Sequence, residues 1–228
     1  MTYFKTIVCL ANSYKAPSGR CIVGKEITAE GYGGWIRPVS GRPYAELSSW
    51  EYRYDDGTIP KLLDIVDVPL ARPVPHNHQT ENHLIDDGRR WVKRGEFPWQ
   101  KLEELCERPP SLWINSGRTS TGNYDCVSRT KAKKLRNSLL LIKRKNFTVK
   151  VTPNSYDGKR TVRGAFEYQG VRHNLSLTDP VARSAFWYKG LGDYPLQDVY
   201  LCLSLTEVFQ ADRRCHKLVA AVISDRLM

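Results

Sequence analysis

The sequence predicts a mainly β protein with a few short helices, built as two small β-barrels of about five strands joined by a mixed connector. Three observations carry that reading. Short apolar runs bounded by Gly, Pro, Asn and Asp fill both ends of the 228-residue chain, the pattern of strands separated by turns. The middle third breaks this rhythm and holds the segment with the clearest helical spacing. The chain is also long enough to bury a core without disulfide or metal staples, as one large domain or two small ones. The expected division is a first β unit at 1–75, a connector with one helix at 76–135, and a second β unit at 136–228.

Taken in order, Ile7-Val8-Cys9-Leu10-Ala11 is the first run, and Asn12–Gly19 reads as a polar turn after it. Arg20–Ile27 is extended again, and after Gly31, Gly33 and Gly34 the meander delivers Trp35–Arg42. Leu62–Leu70 is a strong strand that closes the first unit, where Pro69, Pro73 and Pro75 stop regular pairing. A polar stretch, His76–Arg90, contains one more extended segment near Gln79–Ile85. In Pro98–Cys106, Pro98 suits a first helical turn, and Trp99, Leu102, Leu105 and Cys106 share a face. Pro109-Pro110 ends that helix, and the Gly-, Ser-, Thr- and Asn-rich Ser111–Ser128 reads as a long loop.

The last third is strand-rich. Leu139–Ile142 and Phe147–Val151 flank a basic corner, and Arg160–Tyr168 and Val171–Leu177 form a hairpin about Gln169-Gly170. Asp179-Pro180 opens a short helix through Tyr188. Val199–Leu205 and Leu218–Ile223 are near-continuous apolar runs, hence buried strands, with a basic turn between them. No clean repeat relates the halves, although Cys9-Leu10 and Cys202-Leu203 each sit inside an apolar strand.

Composition narrows the function. The apolar fraction is 41% and the charged fraction 26%, as in a folded globular protein. There is no run of about 18 apolar residues for a membrane span, and Met1–Lys5 lacks the features of a signal peptide; the expectation is a cytoplasmic protein with no membrane partner. Six scattered cysteines without a C-x-x-C pair read as reduced thiols rather than disulfides or a structural zinc site. The net charge is +11, and from Cys126 to Tyr156 there is no acidic residue. Such a run repels itself unless an anion neutralises it, so a polyanionic partner is expected.

The strings Ile7–Ser13, Gly19–Glu26 and Gly34–Ser40, with the closing Tyr200–Leu205 and Lys217–Ala220, resemble the dual OB-fold (DuOB) domain of prokaryotic conflict and defence systems. The resemblance implies two OB-like barrels and a role in sensing or binding nucleic acid; it transfers no catalytic residues. The residues read by themselves agree, because OB barrels hold single strands with a basic groove and aromatic platforms. The candidate nucleic-acid contacts form two groups. One is the edge of the opening meander: Asn12, Ser13, Lys15, Arg20, Trp35, Arg37 and Arg42. The other is the basic run of Arg129, Lys131, Lys133, Lys134, Arg136, Lys143, Arg144 and Lys145. Trp35 reads equally as core packing or as a stacking platform.

No catalytic, metal or cofactor site emerges. His76-Asn77-His78 is a tripeptide and not the spaced elements of a ββα-metal nuclease, Asp64 and Asp67 point to opposite strand faces, and Gly190–Asp193 lacks the G-K-[ST] of a phosphate loop. Three readings follow: a binding module for single-stranded RNA or DNA, with an effector protein as a further partner; an enzyme acting on nucleic acid or a nucleotide; and a regulatory module for a small nucleotide or an acidic protein. Steep salt dependence separates the first, metal-dependent product formation the second, and equal affinity for mononucleotide and oligomer the third.

Overall fold

The opening strand runs past its apolar core into the segment expected to turn. In the computed structural model, which describes residues 1–154 and 158–227, β1 spans Tyr3–Lys15 and β2 spans Gly19–Thr28. The acid-free run ends at Tyr156, outside the described residues. Asn12, Ser13, Tyr14 and Lys15 pair with Ile22, Cys21, Arg20 and Gly19, so the turn contracts to residues 16–18. β3 (Gly31–Val39), β4 (Asp64–Pro73), β5 (Asn82–Ile85) and β6 (Val92–Glu96) follow.

These strands close a ring in the order β1-β2-β3-β5-β4. Tyr3–Val8 pair back onto Ile65–Leu70, β3 and β5 run parallel, and β6 lies beside β4. The ring encloses Ile7, Cys9, Ile22, Ile36, Val66, Val68, Leu70 and Ile85. Leu47, Tyr52 and Tyr54 from the β3–β4 connection join that core, as does Trp91.

The second ring repeats the plan with β8 (Leu139–Pro153), β9 (Arg160–Tyr168), β10 (Val171–Leu177), β11 (Gly192–Phe209) and β12 (Arg214–Ile223). Its order is β8-β9-β10-β12-β11, closed by β11 on β8, again with one parallel pair, β10 and β12. That parallel contact is short, Ser176–Leu177 with Leu218–Val219. The short β7 (Cys126–Ser128) takes the next part of the β12 edge at Arg214–His216. A four-residue helix α1 (Arg129–Ala132) follows β7, and α2 (Pro180–Trp187) sits between the third and fourth strands of the ring. Both rings have the five-stranded build of an OB barrel.

The chain divides into compact units at 1–105 and 106–228. The stretch 76–135, expected as a connector, is shared between them. β5, β6 and a 3-10 helix (Trp99–Leu105) belong to the first unit, and β7 and α1 to the second. The 3-10 turn stands where an α-helix was expected; it buries Leu102 and Leu105.

Two further differences concern the second unit. Leu139–Ile142 and Phe147–Val151 are halves of one strand, because β8 pairs with β11 on both sides of the basic corner, from Leu139 to Val151. The Cys-Leu likeness does not mark equivalent strands: Cys9 lies on the first strand of its ring and Cys202 on the fourth of its own. The hairpin at Gln169-Gly170 forms with φ of +49° and +72°, the left-handed pair that a tight hairpin turn requires. Asp179 caps α2 by accepting from the N–H groups of Val181 and Ala182.

Candidate nucleic-acid interface

The end of the β1–β2 hairpin and the start of the β3–β4 connection meet in the first unit. Arg20 N–H donates to Leu47 O at 2.8 Å and Leu47 N–H returns to Arg20 O at 2.9 Å. Lys15 Nζ donates to Ala45 O at 3.4 Å. The Arg20 guanidinium lies 4.3 Å above the Tyr14 ring, a cation–π contact. Tyr14 is 48% exposed and Tyr44 63%. Lys15, Arg20 and Arg42 are thus gathered with two exposed rings. Arg42 is committed locally, to Glu51 at 2.9 Å and to Glu46 O at 3.0 Å. Asn12 donates to Pro60 O.

Two of the expected edge residues are internal. Arg37 is 2% exposed and pairs with buried Glu81 at 3.2 Å; its charge joins β3 to the segment before β5. Ser13 is 4% exposed and donates to Cys21 O. Both support the sheet instead of facing solvent. Trp35 stands on the outer face of β2 and β3, since its neighbour Ile36 enters the core and directly opposed Lys25 lies 5.5 Å over its ring. The half-buried Trp35 is therefore not core packing. Tyr32, further along the same face, meets the Phe97 ring edge-on at 5.7 Å, and its hydroxyl donates to Glu104 at 3.2 Å. Lys25 has no sequence signal beyond its charge; strand register finds it.

In the second unit Arg129 and Lys131 lie on α1 and Lys133, Lys134 and Arg136 just after it, all exposed. The β11–β12 turn adds Arg213 and Arg214, because Arg214 pairs with Ser128 immediately before α1. Lys143, Arg144 and Lys145 sit where β8 changes face. Leu140 and Ile142 enter the core before them, and Phe147, Val149 and Val151 after. Lys143 and Lys145 are exposed, whereas Arg144 is half-buried with its guanidinium 5.6 Å from the Tyr168 ring. The charge partition is sharp. Residues 1–105 hold fourteen Lys/Arg and fourteen Asp/Glu, and residues 106–228 hold twenty-one and ten. All of the net positive charge belongs to the second unit.

The loop expected at Ser111–Ser128 is ordered against the outer face of β9 and β10. Asn123 and Asn174 exchange main-chain bonds at 3.3 and 3.1 Å, and Asn174 Nδ2 donates to Thr121 O at 3.1 Å. Arg163, 7% exposed, donates to Asp125 Oδ2 at 2.9 Å, to Ser176 Oγ at 2.9 Å and to Asn174 O at 2.7 Å. Asp125 also accepts from Thr119 N–H at 2.8 Å. Lys217, 1% exposed, donates to Asn115 Oδ1 at 2.9 Å; burial lowers its pKa to about 8. His173, facing the core beside Phe166 and Tyr124, is lowered to about 4 by burial and by nearby Lys217. Each neutral bond of this set is worth about 0.5–1.5 kcal/mol net, and those to charged groups more. The 115–125 segment is fastened.

Among the described residues, no three His, Cys, Asp or Glu side chains gather to hold a metal. His76 closes a turn with Gln79, while His78 is buried and His83 hydrogen-bonds Tyr3. Asp64 is engaged by Tyr54 and Lys93, and Asp67 by Thr6 and Arg94. No helix among the described residues is long and apolar enough to cross a membrane.

Two closed five-stranded rings fit what known families predict for this chain. Residues 5–222 match the model of the dual OB-containing domain. The chain belongs to that family. No curated protein matches it. Within this dual OB domain the matched span includes the 115–125 segment as well as both rings.

Proposed function

We propose that this dual OB domain is a nucleic-acid-binding module that takes up single-stranded RNA or DNA in the cytoplasm. The observation that carries the reading is the exposed, acid-free cation run of the second unit, set on a protein whose other barrel is electrically neutral. A cation surplus confined to one unit is the electrostatic footprint of a phosphate contact. Tyr14, Arg20, Tyr44 and the Lys25–Trp35 pair supply rings beside cations on the first barrel, suited to unstacked bases. The reading extends to a sensor that works with an effector protein in a bacterial conflict system, by analogy with the family's expected role.

Fluorescence anisotropy with labelled single-stranded RNA, single-stranded DNA and duplex, at several salt concentrations, tests it. The expected result is binding to a single strand that weakens steeply with salt. Reversing the charges of Lys133, Lys134 and Arg136 together should make the slope of log K against log salt shallower by about 2, at about 0.7 per lost phosphate contact. No binding at low salt to any of the three probes overturns the reading.

A further inference from the structure

The second ring is extended beyond its five strands at the β12 edge, where β7 adds a further one. Strand alternation sets what the outer face presents there. Val208 and Cys215 stand opposite each other and pack on the core, so their neighbours Phe209 and His216 point outward. Phe209 is 58% exposed, and the His216 ring meets it at 5.7 Å and 82°. The turn that follows is closed by Arg213 N–H on Phe209 O at 2.8 Å. Arg214 lies opposite Phe209 on one side and opposite Ser128 on the other, two strand spacings or about 10 Å across. Its Nη1 donates to Arg118 O at 3.2 Å, and Ser128 leads directly into Arg129. Four exposed arginines are thus gathered about one exposed ring. The acid of the turn is already engaged: Asp212 Oδ2 lies 3.0 Å from His216 Nε2, and Oδ1 accepts from Arg214 N–H at 3.1 Å. Glu207, in the irregular stretch of β11 before Val208, is half-buried.

Building on the nucleic-acid reading, we infer that Phe209 is the base-stacking platform of the second unit. One unpaired base of a single strand lies on its ring, and the phosphates to either side of that base meet Arg213, Arg214, Arg118 and Arg129. A base inside a duplex is stacked between its neighbours and has no free face to offer, so preference for a single strand is set at this ring. Cations alone would take a single strand or a duplex. Two other parts of the second unit are engaged internally. On the outer face of β9 and β10, Arg163 and Asn174 are hydrogen-bonded to Asp125, Asn123 and Thr121. Beside Tyr188, 84% exposed, Lys189 lies 4.8 Å over the Phe186 ring and Arg160 donates to Trp187 O at 3.0 Å. The cations there serve rings and main chain of the same unit.

The test measures three probes on the full chain across a salt series. They are an oligothymidylate of about 16 nucleotides, the upper site size of one OB fold, an abasic strand of equal length, and the oligothymidylate paired with oligoadenylate. Phe209→Ala should weaken the oligothymidylate about 5- to 150-fold and leave the abasic strand, the duplex and the salt slope as they were. Phe209→Leu keeps apolar bulk without an aromatic face; it should show the same loss, and it serves if the alanine variant is poorly folded. Phe209→Trp should restore the affinity of the unmodified protein. Arg213→Glu with Arg214→Glu should instead make the slope of log K against log salt shallower by about 1.4 for both single strands, at about 0.7 per lost phosphate contact. Tyr188→Ala should change none of these values. Full oligothymidylate affinity in Phe209→Leu, an equal loss of the ordinary and abasic strands in that variant, or a loss confined to Tyr188→Ala overturns the platform. Equal binding of both single strands by the unmodified protein also overturns it while leaving the binding module intact. Failure of all three probes to bind at low salt removes the nucleic-acid reading itself, and the platform with it.

Discussion

In the first barrel the outer face of β2 and β3 carries an indole under a lysine, with Tyr32 beyond them set against Phe97 and Glu104; in the second the matching face of β9 and β10 is hydrogen-bonded to Thr121, Asn123 and Asp125 of the same chain. The rings beneath are alike in strand order, in their single parallel pair and in closure of the fourth strand on the first. The difference teaches where each property resides. Ladder and core specify the ring, and both are satisfied without reference to the outer face, so that face can carry a different set of contacts in each barrel. The connection between third and fourth strands differs too. It is the helix α2 in the second barrel, and in the first it is a chain segment that lowers Leu47, Tyr52 and Tyr54 into the core.

The contrast can be broken most forcefully at Arg163. Arg163→Ala strands the buried Asp125 carboxylate and should cost about 3–5 kcal/mol. Lys5→Ala, which removes the half-exposed partner of Glu26 on the first barrel, should cost about 0–1 kcal/mol. Urea unfolding of both variants measures the gap; similar losses would mean that the segment is not held through Arg163. Next comes a matched glycine pair. Gly122→Ala forces a methyl into a filled space and should cost about 1–3 kcal/mol, whereas Gly34→Ala meets open space and should stay within about 0.5 kcal/mol. Thermal unfolding distinguishes them.

A third contrast is in pH. His173 is held neutral, with its folded pKa about 4 against 6.5 for the free side chain. Between those values the unfolded chain binds a proton that the folded chain refuses, so stability falls as pH drops from 6.5 to about 4. Lys217, lowered to about 8 from 10.5, gives the same sign in the alkaline range, where stability rises with pH. His173→Phe should flatten the acid arm of a melting-temperature profile and leave the alkaline arm in place. An unchanged acid arm would show that other groups dominate that window.

Much of the fold is legible in local sequence because its signals are local. Gln169-Gly170 fixes a hairpin through two left-handed residues, Asp179-Pro180 starts a helix by capping it, and Val199–Leu205 reads as buried from composition alone. The β1–β2 turn was legible only in part. Asn12–Lys15 look like turn residues, and they join the ladder because Gly19–Ile22 stand opposite. What local pattern could not reveal depends on partners far along the chain. Arg37 looks like a ligand-facing cation until Glu81, forty-four residues later, buries it. A Gly-, Ser- and Asn-rich stretch looks like solvent-exposed loop until Arg163 and Asn174 supply its hydrogen bonds. The basic run was legible as charge; its union with Arg213 and Arg214 required the pairing of β7 with β12.

Ring closure also sets an order of events on the ribosome. The first barrel needs nothing beyond its own unit, and its last strand ends at Glu96, so it can close while the remainder is being translated, as domains generally fold in turn from the N-terminus. Residues 115–125 emerge next with no surface to lie on, since β9 and β10 follow them and β12 comes last. For that interval a polar stretch and an unneutralised cation run are extended together beside a finished barrel. The composition of 115–125, with no aliphatic side chain beyond the threonine methyls and Tyr124 its one ring, is what a nascent segment needs to wait without aggregating.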